Sequence, residues 1–259
     1  MSRILIAAAV AVVAAVAVPS VSQAATIHKD GRTPHRILLQ DTAGQSNLVS
    51  VEGSKSVVFQ DLNVPIEIDD VPTCMPLDEY TVSCSAVRVI DLDLGGGADV
   101  AVIDTKHPVD LEGGPGNDRY TSIATGSPSR VSFAGGIGLD TVSYGLASAG
   151  VNVALDFERG DGRPGDEDRI HRDVESVIGS NFADVLVGSD RSVQLLGLDG
   201  DDEITGGSAA EVLSGGHGDD RIDARDGAAD TVDCGGQAFD RAVVDPGEAS
   251  VSRCAQIAF

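Results

Sequence analysis

Residues 179–223 read GSNFADVLV, GSDRSVQLL, GLDGDDEIT, GGSAAEVLS and GGHGDDRID, five nonapeptides without a gap. Each opens on a glycine (Gly179, Gly188, Gly197, Gly206, Gly215). Each carries an aliphatic residue seven places later (Leu186, Leu195, Ile204, Leu213, Ile222). Two features kept in one register mark a structural repeat rather than a glycine-rich loop. Glycine lacks a Cβ, so the first half of each unit can bend through positive φ and expose its carbonyl oxygens. The second half is a short strand with one apolar residue facing inward. Fuller copies occur earlier, GGPGNDRYT from Gly113 and GGIGLDTVS from Gly135, and an imperfect bend with Asp99 follows VRVIDLDL. The reading is all-β.

The shared template is G-G-x-G-x-D-x-U-x, with U a large apolar residue, and two such units make one turn of a coil. Calcium, a hard cation, takes about six to eight oxygen ligands, and each bend offers a carboxylate beside bare carbonyls. Bends eighteen residues apart stack on one side, which aligns Asp184, Asp202 and Asp220. The other side reads GSDRSV, GGSAAE and ARDGAAD, poor in ligands. The expectation is an asymmetric coil, with calcium between Asp184 and Asp202 and between Asp202 and Asp220.

These nonapeptides, with DTVSYGLASAGVNVALDF at 140–157, DRIHRDVESVIGSNFADVLVGSD at 168–190 and DGAADTVDCGGQAFDRAVVD at 226–245, are similar to the hemolysin-type, or RTX, calcium-binding repeat family in its secreted bacterial form. The resemblance covers residues 87–259. It implies a parallel β-roll (a β-solenoid) whose bends bind Ca2+ through Asp and neighbouring backbone. On this chain the bend residues are Gly114, Gly116 and Asp118; Gly136, Gly138 and Asp140; Asp199, Gly200 and Asp202; and Gly216, Gly218 and Asp220. Asp99, Asp184, Asp230 and Asp240 stand in copies that lack parts of the motif. No lytic or acylated region resembles the members named for lysis, so that activity is not carried over.

Compartment and charge agree with an exported cation binder. Met1-Ser2-Arg3, an apolar run from Ile4 to Val18 and the small-residue exit Ser22-Gln23-Ala24 read as a signal peptide cut after Ala24, placing the protein outside the cell. The net charge of −23 argues against nucleic acid and anionic membrane surfaces. No segment after residue 24 is long and apolar enough to span a membrane. Four cysteines in an exported chain suggest two disulfides, for which three pairings exist. Cys74–Cys84 and Cys234–Cys254 are the expected ones, the second closing the C-terminal end of the coil. Aromatic residues are scarce, with six Phe, three Tyr and no Trp, as a narrow core requires.

Residues 25–86 lack the repeat. They read as a small β region capping the start of the coil, with runs at His35–Leu39, Leu48–Val51, Ser56–Phe59, Val64–Ile68 and Tyr80–Val89. A continuous β structure and two domains both fit. Between Thr141 and Ile178 the repeat is interrupted, with strands at Thr141–Tyr144 and Val151–Leu155. The loop ERGDGRPGDED that follows reads as solvated surface, and its Asp161, Asp166, Glu167 and Asp168 could instead hold a cation. There is no H-E-x-x-H or G-x-S-x-G, so neither a zinc protease nor a nucleophile elbow is indicated. The histidines His28, His35, His107, His171 and His217 show no metal-like pair spacing. The functional expectation is a secreted calcium-binding protein without catalysis. The alternatives are a cell-surface or polysaccharide adhesion module and, behind it, a calcium-dependent enzyme.

Overall fold

The computed structural model describes residues 25–259 except 30–35, 42–43, 54, 70, 124–127, 129, 157, 192, 238 and 248–249. The expected signal peptide, residues 1–24, lies outside the described residues. What is described is all-β, with no helix and mostly parallel strand pairing.

The first part supplies β1 (Ala25–Lys29), β2 (Arg36–Gln40), β3 (Leu48–Gly53), β4 (Ser56–Asp61), β5 (Ile66–Asp69), β6 (Cys74–Pro76) and β7 (Thr81–Ser85). From β8 (Val89–Asp93) the chain alternates between two sheets. β10 (Val109–Pro115) and β12 (Val131–Ile137) join β8 in a first sheet. β9 (Val100–Thr105), β11 (Arg119–Ser122) and β13 (Thr141–Ser143) build a second. β14 (Asn152–Ala154) then starts a third sheet, and β15 (Arg169–Ile170) ends the first. Thereafter β16 (Ser176–Ile178), β18 (Gln194–Asp199), β20 (Val212–His217), β22 (Thr231–Asp233) and β24 (Ser250–Ser252) extend the second sheet. β17 (Val185–Val187), β19 (Glu203–Thr205), β21 (Arg221–Ala224), β23 (Arg241–Val244) and β25 (Gln256–Ala258) extend the third.

Register explains the inward residues. In the second sheet Tyr120, Val142, Val177, Leu195, Leu213 and Val232 stand side by side. In the third, Val153, Leu186, Ile204, Ile222 and Ala242 do the same. All five aliphatic residues of the strict repeat are fully buried. They alternate between the two sheets, so each nonapeptide contributes one strand and one core side chain. Each such Leu or Ile contributes about 1.5–3 kcal/mol of apolar burial. Three aromatics pack together: Tyr120 lies 5.8 Å from Phe133 and 6.4 Å from Tyr144, centroid to centroid.

Residues 25–86 are not set apart by a break in pairing. β2 pairs in parallel with β8, and β3 with β9. Among the described strands, the antiparallel pairs are β1–β2, β3–β4, β4–β7 and β6–β7, all in this N-terminal part. The expected strand Tyr80–Val89 is two strands in different sheets. The chain leaves one for the other at Ala86, whose φ is 58°, a conformation that interrupts a strand without interrupting apolar alternation. β1, β6 and β16 are additions to the expected strands. Disulfides join Cys74 to Cys84 and Cys234 to Cys254. The first staples β6 to β7, and the second ties the segment after β22 to the segment after β24.

Candidate metal centre

The strands are entered through bends, and the last residue of each bend lines up with its neighbours in one of two rows. The row leading into the second sheet is Asn47, Asp99, Asp118, Asp140, Glu175, Val193, Glu211 and Asp230. The carbonyl of each accepts the amide that opens the neighbouring strand, as in Arg119 N–H to Asp99 O (2.8 Å), Thr141 N–H to Asp118 O (2.8 Å) and Thr231 N–H to Glu211 O (2.9 Å). The row leading into the third sheet is Asp184, Asp202, Asp220 and Asp240, tied likewise through Glu203, Arg221, Arg241 and Gln256. The rows lie at opposite ends of the parallel strands of the second sheet.

This placement corrects the expected asymmetry. Asp184, Asp202 and Asp220 do stack at a spacing of eighteen. Asp99, Asp118 and Asp140 belong to the other row, the same one that later holds Glu211 and Asp230. The reason is the interruption after Thr141, where β14 and β15 both fall between consecutive strands of the second sheet. The full motif thereby changes ends, and the end read as poor in ligands carries buried carboxylates at Asp99, Asp118, Asp140, Glu211 and Asp230, while Val193 leaves the bend GSDRSV without one.

Within each row one carboxylate oxygen is used for folding. The amide of Asp99 donates to Asp118 Oδ1 (2.9 Å), and that of Asp118 to Asp140 Oδ1 (2.8 Å). Asp184 N–H donates to Asp202 Oδ1 (2.8 Å), Asp202 N–H to Asp220 Oδ1 (2.9 Å) and Asp220 N–H to Asp240 Oδ1 (3.1 Å). The second oxygen is the informative one. In Asp99, Asp118, Asp140, Asp202 and Asp220 the Oδ2 atom is buried and has no hydrogen-bond partner. Such an atom costs about 1–3 kcal/mol, and more when charged.

Asp184 and Asp240 differ. Asp184 Oδ2 accepts Ser180 N–H at 2.6 Å, and Ser180 Oγ donates to its Oδ1. Asp240 Oδ2 accepts the amides of Gly236 (3.0 Å) and Gln237 (2.5 Å). Of the two expected inter-bend sites, the one between Asp202 and Asp220 therefore has open donors from both carboxylates, and the one between Asp184 and Asp202 from one.

The glycines create the space those oxygens face. A Cβ on Gly197 would sit 2.0 Å from Asp202 Oδ2 and 2.6 Å from Gly215 O. On Gly215 it would meet Asp220 Oδ2 at 2.2 Å and Cys234 O at 2.7 Å, and on Gly113 Asp118 Oδ2 at 2.5 Å and Gly135 O at 2.6 Å. Each opening glycine thus leaves room for a carboxylate oxygen and a carbonyl oxygen of the next bend to converge. An all-oxygen donor set of this kind suits a hard divalent cation. The other glycines read from the sequence, Gly114, Gly116, Gly136, Gly138, Gly200, Gly216 and Gly218, have φ from +98° to +158°. At Gly216 a Cβ would also strike Leu198 O at 2.0 Å. Leu198, its partner in register, keeps a φ of +88° without being glycine.

Burial raises the acids of these rows. Asp99 and Asp202 are pushed up to about 8, and Asp140 and Asp220 to about 6, by desolvation first and by neighbouring carboxylates next. Asp118 and Asp184 are raised for the same first reason. Backbone amides oppose the shift at each.

Other sequence candidates fall elsewhere. Asp199 is exposed, opposite His217 in register, and its carboxylate is outside the row. The 158–168 loop is exposed at Glu158, Arg159, Gly160, Pro164, Gly165 and Glu167, but three of its acids are not solvated. Asp161 is buried and accepts the amides of Ala154 (2.8 Å) and Ile170 (2.7 Å). Asp168 is buried, accepting Val131 N–H and the Tyr144 hydroxyl. Asp166 is buried against Arg163 at 3.0 Å. Glu167 pairs with Arg130 at the surface. These acids hold the insertion to the strands. Glu211 was not read as a candidate, because GGSAAE carries Glu where the template has Asp. Its equivalence shows only in the backbone register. The chain matches no protein-family model and no curated protein.

Proposed function

We propose that this is a secreted calcium-binding protein of the RTX-like β-roll kind, without catalysis, whose folded state is stabilised by extracellular calcium. The observation that carries the reading is the set of buried Oδ2 atoms of Asp99, Asp118, Asp140, Asp202 and Asp220, each without a hydrogen-bond partner. Beside Asp118, Asp202 and Asp220 the opening glycine lets a carbonyl of the next bend approach that oxygen. Calcium would bridge neighbouring bends through these oxygens, neutralising charges that otherwise repel. At about 100-fold over its Kd, a ligand specific to the folded state adds about 2.7 kcal/mol per site. The two disulfides agree with an oxidising compartment.

The test is equilibrium dialysis of the chelator-treated, oxidised protein against calcium, with magnesium as competitor. More than one calcium per chain at submillimolar to millimolar concentrations, the range of extracellular modules of about 10⁻⁴–10⁻³ M, supports the reading. No bound calcium at 10-fold above that range, roughly 10 mM, refutes it.

One feature favours the second reading, adhesion to a hydroxylated polymer. A shallow groove of about 360 Å³ on the first sheet is lined by Arg36, Asp91, Asp93, Asp110, Glu112 and His171, among others. Arg36 is paired with Asp91 and Asp110 there. Retention on a panel of immobilised polysaccharides, lost in Arg36→Ala, would favour it.

A further inference from the structure

We propose a separate calcium site at the opposite end of the strands from Asp202 and Asp220, formed by the carboxylates of Glu211, Asp226 and Asp230. One oxygen from each lies within 4.8 Å of the others, so a single ion can reach all three. Glu211 is 3 % exposed and Asp230 fully buried. Asp226 stands at the rim, on the stretch ARDGAAD that runs from the last residue of β21 to the start of β22.

The hydrogen bonds divide each side chain in the same sense. Glu211 Oε1 accepts Ala209 N–H at 3.2 Å, while its buried Oε2 has no hydrogen-bond partner. Asp226 Oδ1 accepts Ala228 N–H at 2.6 Å, while its Oδ2 is buried without one. Asp230 Oδ1 accepts the amide of Glu211 at 2.9 Å, which fixes the two bends side by side. Two buried carboxylate oxygens without hydrogen-bond partners, beside a third carboxylate, are what a cation would satisfy. Burial first, then the charges of Asp230 and Asp226, push Glu211 up to about 7, as expected of like charges held together.

The donors are oxygen only, which excludes a preference for soft metals. Two of the three side chains are buried, leaving little room for the waters that magnesium retains, so calcium is the ion that fits. Three carboxylates from two bends are more charge than one Asp per bend supplies. This site should therefore fill before those of the Asp202–Asp220 row. The extra residue in ARDGAAD, relative to the six-residue bend GGSAAE, is what brings a third acid within reach.

Calorimetric titration with calcium chloride, comparing wild type, Asp226→Asn and Asp202→Asn/Asp220→Asn, tests this independently of the proposed function. Asn at 226 keeps the acceptor for Ala228 and leaves the core untouched. The expectation is that Asp226→Asn loses the tightest equivalent, or binds it at least tenfold more weakly, while the double variant retains it. Unchanged number and affinity in Asp226→Asn overturns the site. If the double variant binds like wild type while Asp226→Asn does not, this site stands and the Asp-row reading falls. Glu211→Gln, checked by circular dichroism, gives the same answer should Asp226→Asn not fold.

Discussion

Replacing Asp202 by Asn separates a structural from a metal-binding role, because the two predict opposite signs. Asn keeps the Oδ1 acceptor used by the Asp184 amide at 2.8 Å. It puts an NH2 where Oδ2 lies buried without a hydrogen-bond partner, facing the same space as Gly215 O, to which it can donate. In the metal-free protein Asp202 sits at about 8, against 3.8 for a free carboxyl. Keeping it protonated at pH 7 costs roughly 4 kcal/mol at ~1.36 kcal/mol per pH unit, as an upper bound. Relaxation of the bends brings this to the ~1–3 kcal/mol typical of one buried unsatisfied group. Asp202→Asn should therefore stabilise the metal-free protein by about that amount. In calcium the variant lacks a donor facing the Asp202–Asp220 space and loses about 2.7 kcal/mol of linkage per site at 100-fold over Kd. Urea unfolding followed by circular dichroism, in chelator and in 5 mM calcium (an order-of-magnitude choice from the range of about 10⁻⁴–10⁻³ M), reads both. Equal destabilisation in the two buffers would show that the Asp202 carboxylate serves the fold and no ion.

Three further expectations follow from the same structure. Leu198→Gly should stabilise by about 0.5–1 kcal/mol, since the left-handed conformation costs a side chain ~1–2 kcal/mol and glycine returns part of that in chain entropy; a lower urea midpoint than wild type contradicts it. Replacing both Cys234 and Cys254 by Ser opens a bridge of sequence separation 20 and should cost roughly 3 kcal/mol in the chain-entropy model, measured against the reduced wild type as control. In chelator, stability should fall as pH rises from about 4 towards 8. Asp99, Asp161 and Asp202 are raised to about 8, 7 and 8, so over that window the folded state binds protons that the unfolded chain has released. A melting temperature flat or rising across that window would contradict the assignment.

The strict repeat was legible because a fixed period assigns every residue a place. Leu186, Leu195, Ile204, Leu213 and Ile222 could be named as inward from spacing alone. Asp202 and Asp220 were readable as neighbours for the same reason. What the spacing could not carry was parity. Asp118 and Asp140 look like Asp202 in sequence, yet the insertion that adds β14 and β15 places them at the other strand end. Nor could it show which Asp would be satisfied by its own bend. Ser180, in place of the second glycine, offers Asp184 both an amide and a hydroxyl. Asp161 and Asp168 read as solvated because density of charge is the only signal a sequence gives, while amides from Ala154, Ile170 and Val131 hold them in the fold. Glu211 was missed because it puts Glu where the template has Asp, and Asp226 because it stands off that position; only the pairing of β20 with β22 brings their bends together.

Calcium binding by the carboxylate rows is read from the thermal unfolding of the oxidised protein, metal-free and then with rising calcium, magnesium alone serving as control. The melting temperature should climb with calcium and not with magnesium. An unfolding curve that calcium leaves unmoved would mean that the carboxylate rows hold these bends together without any ion.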